Sequence, residues 1–149
     1  MKKFLIGVAA VVVAVAARAQ PAPVNVEAGW ARAVLPGQAS SGAYMTFTAR
    51  EPLTLTGASS PAAGIIEIHQ MKMEGDVMKM RAVDTLALAP GKAVEFKPGG
   101  YHFMLMDLKA AFREGTHVPL TLQFRDGKGK ARELKVSLPV SREVPAVKK

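Results

Sequence analysis

The stretch "KPGGYHFMLMDL", from Lys97 to Leu108, combines a turn signal with a strictly alternating strand. Pro and Gly favour a turn at its start, and successive side chains of the following β-strand point to opposite faces. The row on one face is apolar and consists of Tyr101, Phe103 and Leu105. The row on the other face consists of His102, Met104 and Met106. One imidazole beside two thioethers indicates either an unusual part of the core or a site for a soft metal ion.

Short runs rich in Val, Leu, Ile, Phe and Thr continue on both sides of this strand, separated by Gly and Pro and without a sustained helical period. The predicted strands are Val24–Val34, Ala43–Thr48, Leu53–Ala58, Ile65–Met73, Val77–Val83, Ala93–Phe96, Tyr101–Leu108, Val118–Phe124 and Glu133–Val140. Short strands at this density favour an all-β, antiparallel sandwich or barrel. The segment "AAFREG", residues 110–115, is predicted to form a single helical turn.

A second stretch, "IIEIHQMKMEGDVMKMRAV" from Ile65 to Val83, predicts a hairpin. Gly75 and Asp76 suit a two-residue type II′ turn, which takes Gly first. The turn pairs Met73 with Met78, Met71 with Met80, and His69 with Ala82. Directly opposed Cβ atoms lie about 5 Å apart and diagonal ones about 7 to 8 Å. His69 and Met80 are therefore expected to be diagonal neighbours on a face rich in sulfur, while Lys72, Lys79 and Arg81 face water.

The first nineteen residues read as a signal peptide, with a basic "MKK", an apolar run from Phe4 to Ala17 and a small-residue "ARA" at its end. Cleavage after Ala19 leaves one domain, residues 20–149, with no cysteine to carry a lipid anchor. We therefore expect no membrane anchor after cleavage. Loss of the three basic residues of this segment lowers the formal net charge from +8 to +5. The remaining basic residues are scattered, which disfavours nucleic acid as a partner.

Each methionine beside a histidine also has an ordinary interpretation, because Met is a flexible filler of cores. Packing is the commoner role for Met71, Met73, Met78 and Met106 taken singly, and also for Trp30, which could otherwise cap a metal. His69 and His102 are harder to explain in this way, since a histidine on an apolar strand face has two ring nitrogens that need partners. The third histidine, His117, has no Met nearby and is expected to be an ordinary loop or strand-end residue.

Two imidazoles with two thioethers suit Cu(I), because thioether sulfur selects soft ions and imidazole tolerates them. Zinc is disfavoured, since its structural sites use Cys and His and its catalytic sites usually add a carboxylate. A blue-copper electron carrier requires Cys, and the chain has none. A hydrolase would need an activated nucleophile or a carboxylate pair. Ser41, Glu67 and Asp107 look instead like loop or surface residues, so no enzymatic activity is expected.

These residues resemble the periplasmic copper chaperones of the PCu(A)C family. The family motif is a His, ten residues, a Met, twenty-one residues, and then His, any residue, Met; His69, Met80, His102 and Met104 satisfy every spacing. "GWARAVLPGQASSGAYMTF", from Gly29 to Phe47, is also similar to the family, and the resemblance covers nearly all the mature chain. Gln70 stands where some members have an auxiliary Met. The tail "SREVPAVKK" lacks the His and Met that give some members a second, Cu(II) site.

The resemblance implies a cupredoxin-like β-sandwich that holds Cu(I) at a shallow site formed by His69, Met80, His102 and Met104. It further implies a periplasmic chaperone that delivers copper to cytochrome c oxidase assembly or to other periplasmic acceptors, and we expect the protein to be a monomer. The implied acceptors are an oxidase copper domain or a thioredoxin-like assembly factor. Two alternatives remain open at this point: a copper tolerance or storage protein, and a metal-free secreted β-sandwich that serves as an interaction module.

Overall fold

The computed structural model describes residues 20–145, and this part of the chain folds into eleven β-strands. Their bounds are β1 Gln20–Pro21, β2 Val24–Arg32, β3 Ser40–Ala49, β4 Leu53–Ser59, β5 Ala63–Glu74, β6 Val77–Val83, β7 Leu86–Leu88, β8 Val94–Glu95, β9 Tyr101–Leu108, β10 His117–Asp126 and β11 Ala131–Ser141. The expected signal peptide, residues 1–19, lies outside the described residues and stays a prediction. Between residues 20 and 145 there is no helix long and apolar enough to cross a bilayer.

The strands are hydrogen-bonded in the order β6-β5-β9-β3-β2-β11-β10-β4-β7, with β1 added beside β11 and β8 beside β3. β11 joins two sheets, because it pairs antiparallel with β10 along most of its length and parallel with β2 through Val140 and Ser141. The sheets face each other across aromatic side chains: Phe47 on β3 meets Phe124 on β10 edge-on, with ring centroids 6.2 Å apart. The predicted all-β sandwich is therefore confirmed.

Alternation along β9 and β3 separates the core from the outer face of the sheet. Phe103 and Leu105 are fully buried, as is Phe47, whose ring also contacts that of Phe96 at a centroid distance of 5.1 Å. Side chains of the intervening residues, including His102 and Met104, point away from this core. The predicted division of β9 into an apolar row and a His/Met row is thus confirmed, and the core forms without disulfides.

Three details of the predicted secondary structure are wrong. Residues 110–115 contain a turn at Glu114 and Gly115 and no helical turn; the Phe112 side chain is buried there, and its carbonyl oxygen accepts a hydrogen bond from the Val34 amide at 3.0 Å. Strands β1 and β7 were not predicted. The sheets are not purely antiparallel either, since β11 pairs parallel with both β1 and β2.

A bulge in β2 sets the direction of the side chains that follow it. The pairing with β3 shifts between Glu27 and Trp30, and Ala28 has a φ of 53°. A Cβ on Gly29 would come within 2.7 Å of Leu138 Cδ2, so only glycine fits there without displacing the core. After the bulge Trp30 is paired with Tyr44, and the two rings lie 4.7 Å apart on the face that carries His102.

Candidate metal centre

Three neighbouring strands bring the four motif residues together: His69 lies on β5, Met80 on β6, and His102 and Met104 on β9. His69 and His102 are directly opposed in the β5–β9 ladder, and their ring centroids are 5.7 Å apart. The central strand β5 pairs with both β6 and β9, so residues distant in sequence become neighbours across two ladders. The two imidazoles form the middle row of the candidate centre.

The thioethers flank this row on opposite sides along the strands. The β5–β6 pairing is as predicted, with Met71 opposite Met80 and His69 opposite Ala82. Gly75 has a φ of 63°, as the first position of a type II′ turn requires. On the other side of the histidine row, Met104 is opposite Glu67. Successive rows on one face lie about 7 Å apart, a gap that two long thioether side chains can close from either side.

A cleft of about 350 Å³ opens at this place. Its lining residues are Arg32, Ser41, Gly42, Tyr44, Met71, Met80, Pro98, Gly99, His102 and Met104. His69 stands beside the cleft with 13% of its side chain exposed, whereas Met80 is 45% exposed at the rim. The cleft is therefore shallow on the hairpin side, and incoming groups can reach the Met80 sulfur from solvent.

One nitrogen of His69 has the character expected of a metal ligand. Its Nε2 lies 2.8 Å from Oε2 of Glu67. Because a carboxylate oxygen accepts hydrogen bonds, this contact favours the tautomer in which Nε2–H is the donor. Its Nδ1 is buried and has no hydrogen-bond partner. A buried polar atom without a partner is rare in native structures and calls for an explanation. A free imidazole lone pair beside a second histidine and thioethers fits a bound soft cation.

The surroundings of His102 favour the neutral form that metal binding needs. Its Nδ1 lies 3.4 Å from the Gly100 carbonyl oxygen, a long contact that leaves Nε2 available as a ligand. Burial lowers the pKa of His102 below its ordinary value, and the neighbouring His69 lowers the pKa further, while the Gly100 carbonyl acts in the opposite direction. Because a proton and a metal ion compete for the same lone pair, a lowered pKa favours the metal.

Aromatic and basic side chains form the wall of the cleft opposite the hairpin. Tyr44 lies between Trp30 and His102, at centroid distances of 4.7 Å and 6.2 Å. The Arg32 guanidinium stacks over Trp30 and Tyr44, 5.6 Å and 5.7 Å from their ring centroids. Tyr44 also lies across Gly42, where a Cβ would come within 2.7 Å of its hydroxyl oxygen. Trp30 is buried behind Tyr44, in agreement with its interpretation as a packing residue.

The other residues that the sequence analysis considered differ in their distance from the candidate centre. His117 is exposed at the start of β10, in the other sheet, and Met106 is half-buried one row beyond Met104. Ser41 is buried, and its hydroxyl donates a hydrogen bond of 2.6 Å to the Arg32 carbonyl, so the expectation of a loop or surface residue is wrong there. Glu67 is half-exposed but contacts a candidate ligand. Sequence reasoning missed this carboxylate, although its spacing of two from His69 placed both on one face of the strand.

Residues 24–140 match the protein family described as "Putative lipoprotein LpqE-like". Among curated proteins, "Putative lipoprotein Lxx21020" of Leifsonia xyli subsp. xyli is 30% identical over 105 residues, which are 70% of this chain and 63% of that protein. The chain thus spans 63% of the length of this relative.

Comparison with solved structures identifies the fold. The copper-bound PCuAC domain from PmoF2 is similar at a TM-score of 0.63 and 25% identity, over 81% of this chain and 94% of that one. The solution structure of CuI-DR1885 from Deinococcus radiodurans is similar at a TM-score of 0.59 and 28% identity, over 86% of this chain and 83% of that one. These likenesses confirm the cupredoxin-like fold, and the chain belongs to the LpqE-like family of PCu(A)C domains.

Proposed function

We propose that this protein is an extracytoplasmic Cu(I) chaperone that holds its cargo with His69, Met80, His102 and Met104. One observation carries the proposal: Met80, His102 and Met104 line a single shallow cleft, and His69 stands beside it with a buried Nδ1 that has no hydrogen-bond partner. The solved relatives support the choice of metal, since the PmoF2 domain is copper-bound and DR1885 is described with Cu(I).

The chemistry of the ligands favours carriage over long-term storage. Thioether and neutral imidazole prefer Cu(I) and lack the charge of the thiolates that hold it most tightly. Met80 is 45% exposed, so an acceptor's ligand can approach the metal before the chaperone's own ligands leave. Stepwise exchange of this kind needs no electron transfer, and the cleft has no paired nucleophile and base. We therefore propose a non-enzymatic role.

The acceptors and the location are also part of the proposal. An oxidase copper domain or a thioredoxin-like assembly factor offers cysteine ligands, to which copper would pass downhill from thioethers. The word lipoprotein in the names of the family and of its curated relative supports a position outside the cytoplasm, as does the expected signal peptide. We propose the periplasm, with the mature protein as a monomer.

A transfer assay tests the function directly. The copper-loaded protein, mixed without oxygen with an acceptor domain bearing two cysteines, should lose one equivalent of Cu(I) to it, and the reverse reaction should be negligible. Copper on each protein is measured after separation by ion exchange. If the protein binds no stoichiometric Cu(I) at the outset, the metal-free interaction module becomes the better hypothesis. If it binds copper but does not release it to cysteine acceptors, storage is favoured.

A gene deletion separates delivery from tolerance in the cell. If delivery is the function, deletion should lower the copper content of cytochrome c oxidase in low-copper medium and leave resistance to added copper unchanged. Normal oxidase copper together with new copper sensitivity would instead identify a tolerance protein.

Acid should release the metal, because the two histidines bind it only as neutral imidazoles. An unperturbed imidazole titrates near pH ~6.5, and burial places the pKa of His102 below its ordinary value, so this residue resists protonation further into the acid range. Affinity should therefore be constant above neutrality and fall as the pH drops below about 6. Competition with a pH-independent Cu(I) probe measures this. Flat affinity down to pH ~5 would indicate a site made of thioethers alone.

A further inference from the structure

A second group of thioethers lies at the tip of the β5–β6 hairpin, outside the four-residue centre. Met73 and Met78 are directly opposed there, one row beyond the pair formed by Met71 and Met80. Opposed residues in an antiparallel ladder point to the same side, and residues two apart share a face. The four methionines therefore form two adjacent rows on the face that carries His69.

Packing does not explain the outer row. The Met71 amide donates a hydrogen bond to the Gly100 carbonyl at 3.1 Å, and beyond that point β5 pairs only with β6, the end strand of the order. The tip is thus a projecting two-stranded ribbon. Met73 is 56% exposed and Met78 45% exposed. Flexible methionine usually fills gaps in cores, and at this tip it contacts solvent instead.

Charge is confined to the other face of the same ribbon. Glu74 forms ion pairs there with Lys79, at 3.1 Å, and with Arg81. A ribbon with water on both sides could carry polar side chains on both. Its sulfur face therefore has no evident structural role, while three or four thioethers in adjacent rows form a ligand set that selects soft monovalent cations.

We propose that Met71, Met73 and Met78 form a second, weaker site for Cu(I), from which the ion moves to the main centre. Cβ atoms of the opposed Met73 and Met78 lie about 5 Å apart, and diagonal neighbours about 7 to 8 Å, within reach of three long side chains. Met71 links the sites, because it lines the cleft and is paired with Met80. In the transfer step one Cu–S bond forms at Met80 as one breaks at the tip, and copper stays Cu(I). The biological role of this second site rests on the proposed function.

The second site should be the weaker one for two reasons. It lacks an imidazole, and the side chains of Met73 and Met78 are exposed, so more rotamer freedom is lost when they close around an ion with Met71. The first equivalent of Cu(I) should accordingly fill the main centre, and only the second should reach the tip. A weak outer site is suited to loading, since an ion bound there leaves readily in the direction of the tighter ligands.

Titration of the mature protein with Cu(I), without oxygen and with ¹³C-methyl-labelled methionine, tests the proposal by NMR. The methyl signals of Met80 and Met104 should move with the first equivalent. Those of Met73 and Met78 should move with the second, at a dissociation constant at least ~10-fold higher. The double variant Met73→Leu/Met78→Leu should keep the first event and lose the second. Met106→Leu, a like substitution outside both sites, should keep both.

The leucine variant also separates metal binding from an alternative role of the tip, the docking of a partner protein. Leucine keeps the apolar surface that a protein would contact and removes the sulfur that a metal needs. If the double variant still takes up a second equivalent, or if the Met73 and Met78 signals stay fixed while those of Met80 and Met104 move, the second site is wrong. Movement of all four signals with one midpoint would also overturn it, in favour of one larger site. If Met73 and Met78 respond but Met80 and Met104 do not, the tip site stands and the main centre of the proposed function fails.

Discussion

Replacing His69 or His102 by alanine should lower the affinity for Cu(I) by more than ~10-fold, that is by more than about 1.4 kcal/mol. The two imidazoles face each other in one row with ring centroids 5.7 Å apart, so each variant removes half of the nitrogen donors. A thioether or water that takes the vacant position binds in a less favourable geometry. Competition with a chromophoric Cu(I) probe in the absence of oxygen measures the loss.

The matched control for these variants is His117→Ala, because His117 is exposed at the start of β10 in the other sheet. It should bind Cu(I) as the unchanged protein does. Circular dichroism should show that all three variants keep the strand content, which matters most for the buried His102. Equal affinity in the three variants would remove both histidines from the ligand set.

Met80→Ala should lose less affinity for Cu(I) than either histidine variant if Met71, its cross-strand partner, supplies a substitute sulfur.

The sequence predicts the position of these histidines because each lies on a strand that adjoins a turn with a clear sequence signal. The Gly75–Asp76 turn fixes the register of β5 and β6, and the Pro98–Gly100 turn sets the start of β9; the observed bounds of β6 and β9 are the predicted ones. With register and parity fixed, the face of each His and Met follows from a period of two. That His69 and Met80 share a site with His102 and Met104 followed from the family resemblance, and the direct pairing of β5 with β9 was not predicted.

Contacts that depend on tertiary packing were beyond sequence reasoning. Arg32 reaches the cleft because the β2 bulge changes the register with β3. The isolated Gly29 inside the predicted strand is the local signal for such a bulge, and the strand prediction did not use it. Strand β7 has three residues and exists through its pairing with β4, while β1 has two and pairs with β11, more than a hundred residues away. Short elements of this kind carry too few side chains to show a period.

Glu67→Ala should lower the affinity for Cu(I) by about 10- to 100-fold, the usual loss when the hydrogen-bond partner of a metal-bound histidine is removed. The carboxylate accepts a hydrogen bond from Nε2–H of His69 at 2.8 Å, which leaves the buried Nδ1 with the free lone pair. Without Glu67 the proton can move to Nδ1 and the ring can turn. We therefore expect Glu67 to act as a positioning residue that fixes the tautomer and orientation of His69.

The tautomer can be measured without any metal, which separates positioning from general damage to the fold. Long-range ¹H–¹⁵N NMR spectra of the apo protein should show His69 protonated at Nε2, and Glu67→Ala should show a mixture of tautomers. Glu67→Gln should restore most of the affinity, because the amide oxygen can still accept a hydrogen bond from Nε2–H. Glu74→Ala is the matched control, since Glu74 lies on the same strand but pairs with Lys79 on the opposite face. An unchanged tautomer and unchanged affinity in Glu67→Ala would mean that the carboxylate is only a surface neighbour of the site.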